Sequence, residues 1–228
     1  MHDHQPRRNA ALPGGERPAW AVIGPGIAAL TGLYLLTMTF GPAARLSLQL
    51  DLGLTSQTTL VMALVAYLVS AAAGGALGVG LGGRLLTTVG TAAIALMIIG
   101  VLLNALAPDS GIYLIGRVLS GLGGGSAVGA TVAFARRAGR HSGALAGILA
   151  GLGIFALILG PVINHWLASA LAWRWGYLIT ILPLIVGLVA TAVSGFVLLL
   201  TRRAGQPSSS GMPHPPAGQR PWNAPPGV

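Results

Sequence analysis

The chain has 228 residues, of which 54% are hydrophobic and only 7% charged, with a formal net charge of +9 and a mean hydropathy of +0.76. A soluble domain carries about a quarter charged residues, so this sequence has too few to cover an aqueous surface, and a membrane protein is expected. Cysteine is absent, which excludes a disulfide framework, a thiolate nucleophile and a cysteine metal site; the basic residues are all arginine, set singly or in pairs without the interleaved aromatics of a nucleic-acid surface, so no nucleic-acid partner is expected.

Residues 1–19, "MHDHQPRRNAALPGGERPA", read as a flexible lead on the cytoplasmic side. His2 and His4 could bind a metal, but two tail histidines are far more often incidental, so neither a metal nor a cofactor is expected. A spanning helix needs about 20 mostly apolar residues. Six segments meet that requirement: about Trp20–Phe40, Thr58–Gly82, Thr88–Leu106, Ile112–Ala135, Gly143–Ala168 and Tyr177–Leu200. The first is too long for the apolar core of a signal peptide and is followed by no small-residue cleavage site.

The second and third segments are nearly continuous, and as one helix they would exceed twice the bilayer thickness. A turn is therefore expected at Gly82, Gly83 and Arg84, inside "GRLLTTVG". The other breaks are "GPAARLSLQLDLGLTSQ", "APDSG", "RRAGRHS" and "AWRWG", each marked by Gly, Pro or charge. Residues 202–228 are rich in Pro, Ser and Gly and predict a disordered cytoplasmic tail. The expected fold is all-α: a six-helix transmembrane bundle over residues 20–201.

Arginine placement sets the expected orientation. With the N-terminus inside, Arg7, Arg8, Arg17, Arg84, Arg136, Arg137, Arg140, Arg202, Arg203 and Arg220 are cytoplasmic. Only Arg45 and Arg174 fall outside, a clear positive-inside bias that puts both termini in the cytoplasm of a multi-pass cell-membrane protein.

Glycine carries the packing signal. Gly74, Gly78 and Gly82 in the second segment, Gly121, Gly125 and Gly129 in the fourth, and Gly143, Gly147 and Gly151 in the fifth each recur every four residues. That spacing lays each triplet on one helical face, where backbones approach closely. Tight packing of segments two, four and five is expected, with six and three at the periphery. A general glycine bias in the composition is the competing explanation.

Arg117, in "LIGRVLSGLGGGSAVGA", is the one ionisable residue well inside a segment. An arginine near mid-bilayer costs at least about 2.5–3.5 kcal/mol on insertion scales, so it is expected to face the bundle interior or a wet cavity. Snorkelling to the outer headgroups is the alternative. The four acidic residues, Asp3, Glu16, Asp51 and Asp109, all lie outside the segments. Carbonyls, hydroxyls, water or an anionic group must meet the guanidinium instead.

From about residue 20 to 201 the chain resembles the N-terminal six-helix half of a major facilitator superfamily transporter, nearest to the multidrug proton antiporters. Arg117, Gly121 and Gly123 match that family's R-x-x-x-G-x-G pattern, and Gly160 and Pro161 the Gly-Pro end of its antiporter motif. "WRWGYLITILPL", "DLGLTSQ" and Tyr67 also fit. The resemblance implies that spans one and four line a substrate cavity, with Arg117, Tyr34 and Thr37 as candidates, and that spans two and five meet a second six-helix bundle. For Tyr34 and Thr37, helix packing or carbonyl back-bonding is the plain alternative. Gly125 belongs with Gly121 and Gly123 as a packing residue.

The departures are informative. Where the family reads G-x-L-x-D-R-x-G-R-R, Gly83, Leu85 and Gly90 are kept, while Thr87, Thr88, Thr91 and Ala92 replace the charges. Asn164 and His165 replace a glycine pair. The expected function is that of a half-size transporter subunit. It would move small molecules across the lipid bilayer by alternating access when paired with a second six-helix bundle, identical or separate. Two alternatives stand beside it: a non-transporting, decayed or accessory membrane protein, and, remotely, an intramembrane serine hydrolase using Gly124, Ser126 and His165. No enzyme is the expectation.

Overall fold

A computed structural model describes residues 22–137 and 142–204. The expected tails, residues 1–19 and the part of 202–228 beyond Ala204, lie outside the described residues, as do positions 138–141. The chain divides at Gly195 into two compact units; everything below concerns the first, and of the second only residues 196–204, the end of the last helix, are described.

Among the described residues the structure is helical, with α1 (Ile23–Leu36), α2 (Pro42–Leu52), α3 (Ser56–Leu60), a π-helical turn (Val61–Val65), α4 (Ala66–Ala105), α5 (Ser110–Arg137), α6 (Ser142–Ala170), α7 (Trp173–Leu178) and α8 (Ile181–Ala204). Five stretches are long and apolar enough to cross a membrane: Ser56–Gly82, Thr87–Ala105, Ser110–Arg136, Ala146–Ala170 and Trp173–Val197. Helix α1 is a sixth, shorter apolar helix within the expected first segment. These are called spans one to six in chain order.

Local chemistry sets the boundaries. Thr55 accepts from the Thr58 amide (3.1 Å) to open span two, and Asp109 Oδ1 accepts from the amides of Gly111 (2.8 Å) and Ile112 (3.0 Å) to open span four. Both use a side-chain oxygen to satisfy donors that a helix start leaves bare. Pro42 begins α2, where its missing N–H costs nothing, and Gly53 ends it with φ +63°. This short helix occupies a stretch in which the sequence signalled only a break.

Span two from Ala66 on and span three share α4, which is interrupted at Leu85, whose φ −121° and ψ 41° are non-helical. The expected turn is therefore present, one residue past Arg84. It is narrow, and Gly83 lies within helical backbone two residues before it.

Span four is the hub: 67% of its central apolar stretch is buried, against 22% in span two and 11% in span five. On one face it interlocks with span two. A Cβ at Gly74, Gly78, Gly125 or Gly129 would fall on the carbonyl of Leu122, Ser126, Ala71 or Gly75 respectively, and one at Gly121 on Ser70 and the Tyr67 carbonyl. Ser126 Oγ donates across this seam to the Gly74 carbonyl (3.1 Å). The in-phase glycines of these two spans therefore do what their spacing predicts.

The rest of the packing expectation needs correction. Span three is not peripheral: it lies on the opposite face of span four, where Gly123 meets Ala93 and Met97, and Gly100 meets Gly116 and Ser120. Small residues on both faces of span four allow two close neighbours rather than one. The third triplet, Gly143, Gly147 and Gly151, has open space where each Cβ would stand, so it packs on nothing among the described residues. Span five instead touches span one at Gly160, where a Cβ would strike Thr37 and Tyr34. Span six packs on span one through Gly24, Gly187 and Thr191.

Candidate functional site

Arg117 lies seven residues into α5, about 10 Å along the axis at 1.5 Å per residue. Its side chain is fully buried, not snorkelling. Nη1 donates to the Leu35 carbonyl of α1 (2.7 Å) and Nε to the Tyr113 hydroxyl (3.0 Å). Three tyrosine rings surround the guanidinium, with its carbon 5.6 Å from the Tyr67 centroid, 5.6 Å from Tyr113 and 5.4 Å from Tyr177. Cation–π attraction is effective within about 6 Å and strengthens when water is excluded. Carbonyl, hydroxyl and ring quadrupoles thus stand in for the missing carboxylate. Nη2 is buried and makes no hydrogen bond among the described residues.

The cage is held from outside. The Tyr113 and Tyr177 hydroxyls share a hydrogen bond (2.9 Å), and Tyr67 donates to the Gly32 carbonyl (2.7 Å). Trp173 stands edge-on to both Tyr113 and Tyr177, with centroids 5.9 Å away in each case. Its indole Nε1 donates to Asp51 Oδ2 (3.0 Å), and Asp51 pairs with Arg174 (2.7 Å). Arg174 also donates to the carbonyls of Ala105 (3.1 Å) and Ala107 (2.8 Å) at the end of span three. A continuous polar and aromatic path therefore runs from the buried cation to an ion pair at the bundle end. Sequence reasoning missed Tyr113, Tyr177 and Asp51. Tyr113 stands one helical turn before Arg117, a spacing that was readable; Tyr177 reaches the cage, and Asp51 the Trp173 that supports it, from distant parts of the chain.

Tyr34 and Thr37 are not in that cage. Thr37 Oγ1 donates back to the Tyr34 carbonyl (2.9 Å), and both side chains lie against Gly160. The Tyr34 hydroxyl is buried without a hydrogen bond among the described residues. One turn further on, Asn164 Nδ2 donates to the Met38 carbonyl. Pro161, inside α6 between the Gly160 and Asn164 contacts, deprives the helix of one amide donor.

At the opposite end, spans one, four and five part around a cleft of about 680 Å³. Its walls include Ala29 and Leu33 from span one, Thr131 and Arg136 from span four, and Ala150 and Leu157 from span five. Of the sequence candidates, none lines this cleft; Tyr34 follows Leu33 directly, and Arg117 lies 11 residues before its first lining residue on span four, Val128, about 16 Å by helical rise. Gly90, from the altered loop, packs against Pro25 and Thr191, and Thr87 against Gly195. The serine and histidine of the hydrolase alternative do not form a catalytic pair: the Ser126 hydroxyl bonds to Gly74, while His165 is exposed beside Gly41 at the other end.

The Major Facilitator Superfamily model matches residues 26–224, most of the chain. The Multidrug resistance protein B homolog of Mycobacterium tuberculosis (strain ATCC 25618 / H37Rv) is 37% identical over 110 residues, covering 46% of this chain and 19% of its own. The Acurin A biosynthesis cluster MFS-type transporter of Aspergillus aculeatus is 30% identical over 93 residues, 40% of this chain and 17% of its own. The MFS-type transporter TOXA of Cochliobolus carbonum is 31% identical over 85 residues, 36% and 16% respectively. The matches thus span less than a fifth of each relative's length. With its apolar helices, glycine seam and buried arginine, the chain belongs to the Major Facilitator Superfamily, as a multi-pass membrane protein.

Proposed function

We propose that this chain forms one six-helix half of a transporter, which moves small, largely apolar molecules by alternating access when paired with a second six-helix bundle. Alternating access rocks two bundles about a site at their interface, so a half with one tied, rigid end and a cleft at the other suits it. The observation that carries the reading is that asymmetry. Asn164–Met38 and the Asp51–Trp173–Arg174 cluster tie one end together, while spans one, four and five stand apart at the Arg136 end. The arginine bias puts the open end in the cytoplasm, so drug-like molecules would enter the cleft from inside, as efflux requires. The exposed apolar faces of span two (Val69, Leu77) and span five (Phe155, Ile158) are where the second bundle would dock.

The test begins with the native mass of the complex, extracted in nanodiscs, followed by dye efflux from vesicles containing it. A particle with two six-helix bundles and protein-dependent efflux supports the reading. A lone 23.0 kDa chain without efflux overturns it.

An accessory, non-transporting role has one observation in its favour. Thr87 and Gly90, at or beside positions where the family carries charge, are packed on spans six and one. Restoring Asp at Thr87 and Arg at Thr88, with a partner bundle present, decides between the two. Efflux that is undetectable both before and after restoration favours the accessory role.

A further inference from the structure

We infer that the cleft between spans one, four and five selects single-chain amphiphiles with one anionic head group, such as long-chain carboxylates, over neutral and cationic analogues; this rests on the transporter reading above. Three observations combine. First, the cleft's volume of about 680 Å³ lies within the range of drug-sized ligand pockets, about 300–1,000 Å³. Apart from Thr131 and Arg136, its side chains are aliphatic or absent, with Ala29, Leu33, Ala150 and Leu157 typical of its walls. The Thr131 hydroxyl donates to the Ala127 carbonyl (2.7 Å), so it offers a ligand no free proton. The interior therefore suits a hydrocarbon tail and gives a polar group little to bond with.

Second, the charge is all of one sign. Among the described residues Arg136 is the only charged one lining the cleft, and it is exposed at its edge. Among the described residues no Asp or Glu lines it. The two acidic residues in the described part of the chain, Asp51 and Asp109, lie at the far end, and Asp51 is already paired with Arg174. Third, deeper in span four the Arg117 charge also meets no carboxylate, so nothing acidic among the described residues of that span beyond Asp109 at its far end would draw a cation.

The consequence is a penalty as much as an attraction. At the edge a cationic head finds no carboxylate among the described residues and faces Arg136, while a neutral head gains no ion pair. An anionic head at the edge keeps Arg136 as its partner and stays near water, while its tail fills the aliphatic wall. A diacyl lipid presents the same head chemistry with twice the tail, and the drug-sized volume favours the free single-chain form.

The test uses the full chain in phosphatidylcholine nanodiscs and a fluorescent undecanoate probe, with its methyl ester and a trimethylammonium analogue for comparison and empty nanodiscs as background. The acid should bind about fivefold more tightly than the ester, the size of one partly exposed ion pair, and at least about tenfold more tightly than the cation. Arg136→Gln should abolish the acid's advantage over the ester, and Arg136→Glu should reverse the order of acid and cation. Ala150→Trp, on an exposed wall of the cleft, should block all three probes.

Equal binding of acid and cation, binding unaffected by Ala150→Trp, or no binding above empty nanodiscs would each overturn the inference. Displacement of the probe by phosphatidylglycerol in the disc would overturn the choice of a free amphiphile. Charge-selective binding without efflux would leave this site intact and remove the transport reading. Efflux without charge selection would do the opposite.

Discussion

At the Asp51–Arg174 end of the bundle, α2, α7 and the end of span three are joined by side chains: Asp51 to Trp173 and Arg174, and Arg174 to the carbonyls of Ala105 and Ala107. At the Arg136 end, spans one, four and five part around an aliphatic cleft with no comparable ties among the described residues. Arg117 and its tyrosines sit between the two, anchored toward the tied end through Trp173. The difference shows how a small bundle fixes one end while leaving the other free to bind and move. Directional hydrogen bonds specify one geometry; apolar contact in a bilayer does not, because lipid tails compete with it on equal terms.

Six substitutions at five positions test that contrast. Removing the central anchor should cost most. Arg117→Ala leaves a cavity at the largest fully buried side chain and takes the donor from the Leu35 carbonyl. Large-to-small core changes cost about 2–5 kcal/mol, so the purified protein should melt well below wild type in a thermal-shift assay. Arg117→Lys should fall between them, since an ammonium keeps the charge but not the fork that reaches two acceptors. Equal melting of all three proteins would mean that the cage anchors nothing.

Next comes the glycine seam. Gly125→Ala drives a Cβ into the Ala71 carbonyl, and overpacking of this kind costs about 1–3 kcal/mol. Reduced yield of folded protein by size-exclusion chromatography should follow. Arg174→Lys should cost about 1 kcal/mol, because a lysine can keep the ion pair but cannot reach both carbonyls as well. Asp51→Asn should cost less than that, in line with about 0–1 kcal/mol for partly exposed pairs. If the order of these two is reversed in parallel melts, the ion pair rather than the carbonyl bonds holds that end.

The smallest effect belongs to the open end. Gly147→Ala has the same chemistry as Gly125→Ala but meets open space. Its expected change lies between zero and a gain of about 1 kcal/mol from helix propensity. A loss as large as that at Gly125 would mean that span five is packed there, and the two ends would no longer differ.

Much of this was legible from the sequence. The apolar runs and their Gly, Pro and charged interruptions marked out the helices, because hydrocarbon thickness fixes the length of an apolar segment. The turn near Arg84 followed from the same length argument, and Arg117 stood out because a buried charge without a nearby carboxylate is costly enough to demand a reason. The seam of spans two and four followed from four-residue glycine spacing.

What the sequence left open was which faces meet. Gly143, Gly147 and Gly151 repeat with the same period as Gly121, Gly125 and Gly129, yet one set faces open space and the other faces carbonyls. Periodicity fixes the phase of a helical face and says nothing about its neighbour. The tyrosine cage was hidden for the same reason: Tyr67, Tyr113 and Tyr177 lie on three different helices and converge only through packing. Tyr34 and Thr37 share the buried stretch of span one, but the rotation of that helix turns them toward Gly160 while the Leu35 carbonyl meets Arg117. Segment lengths, charge placement and glycine phase were determined by the sequence alone, because the bilayer and the helical repeat act on each segment independently. The partners of each face were decided only by tertiary structure, because that choice depends on the rotation and tilt of every neighbouring helix at once.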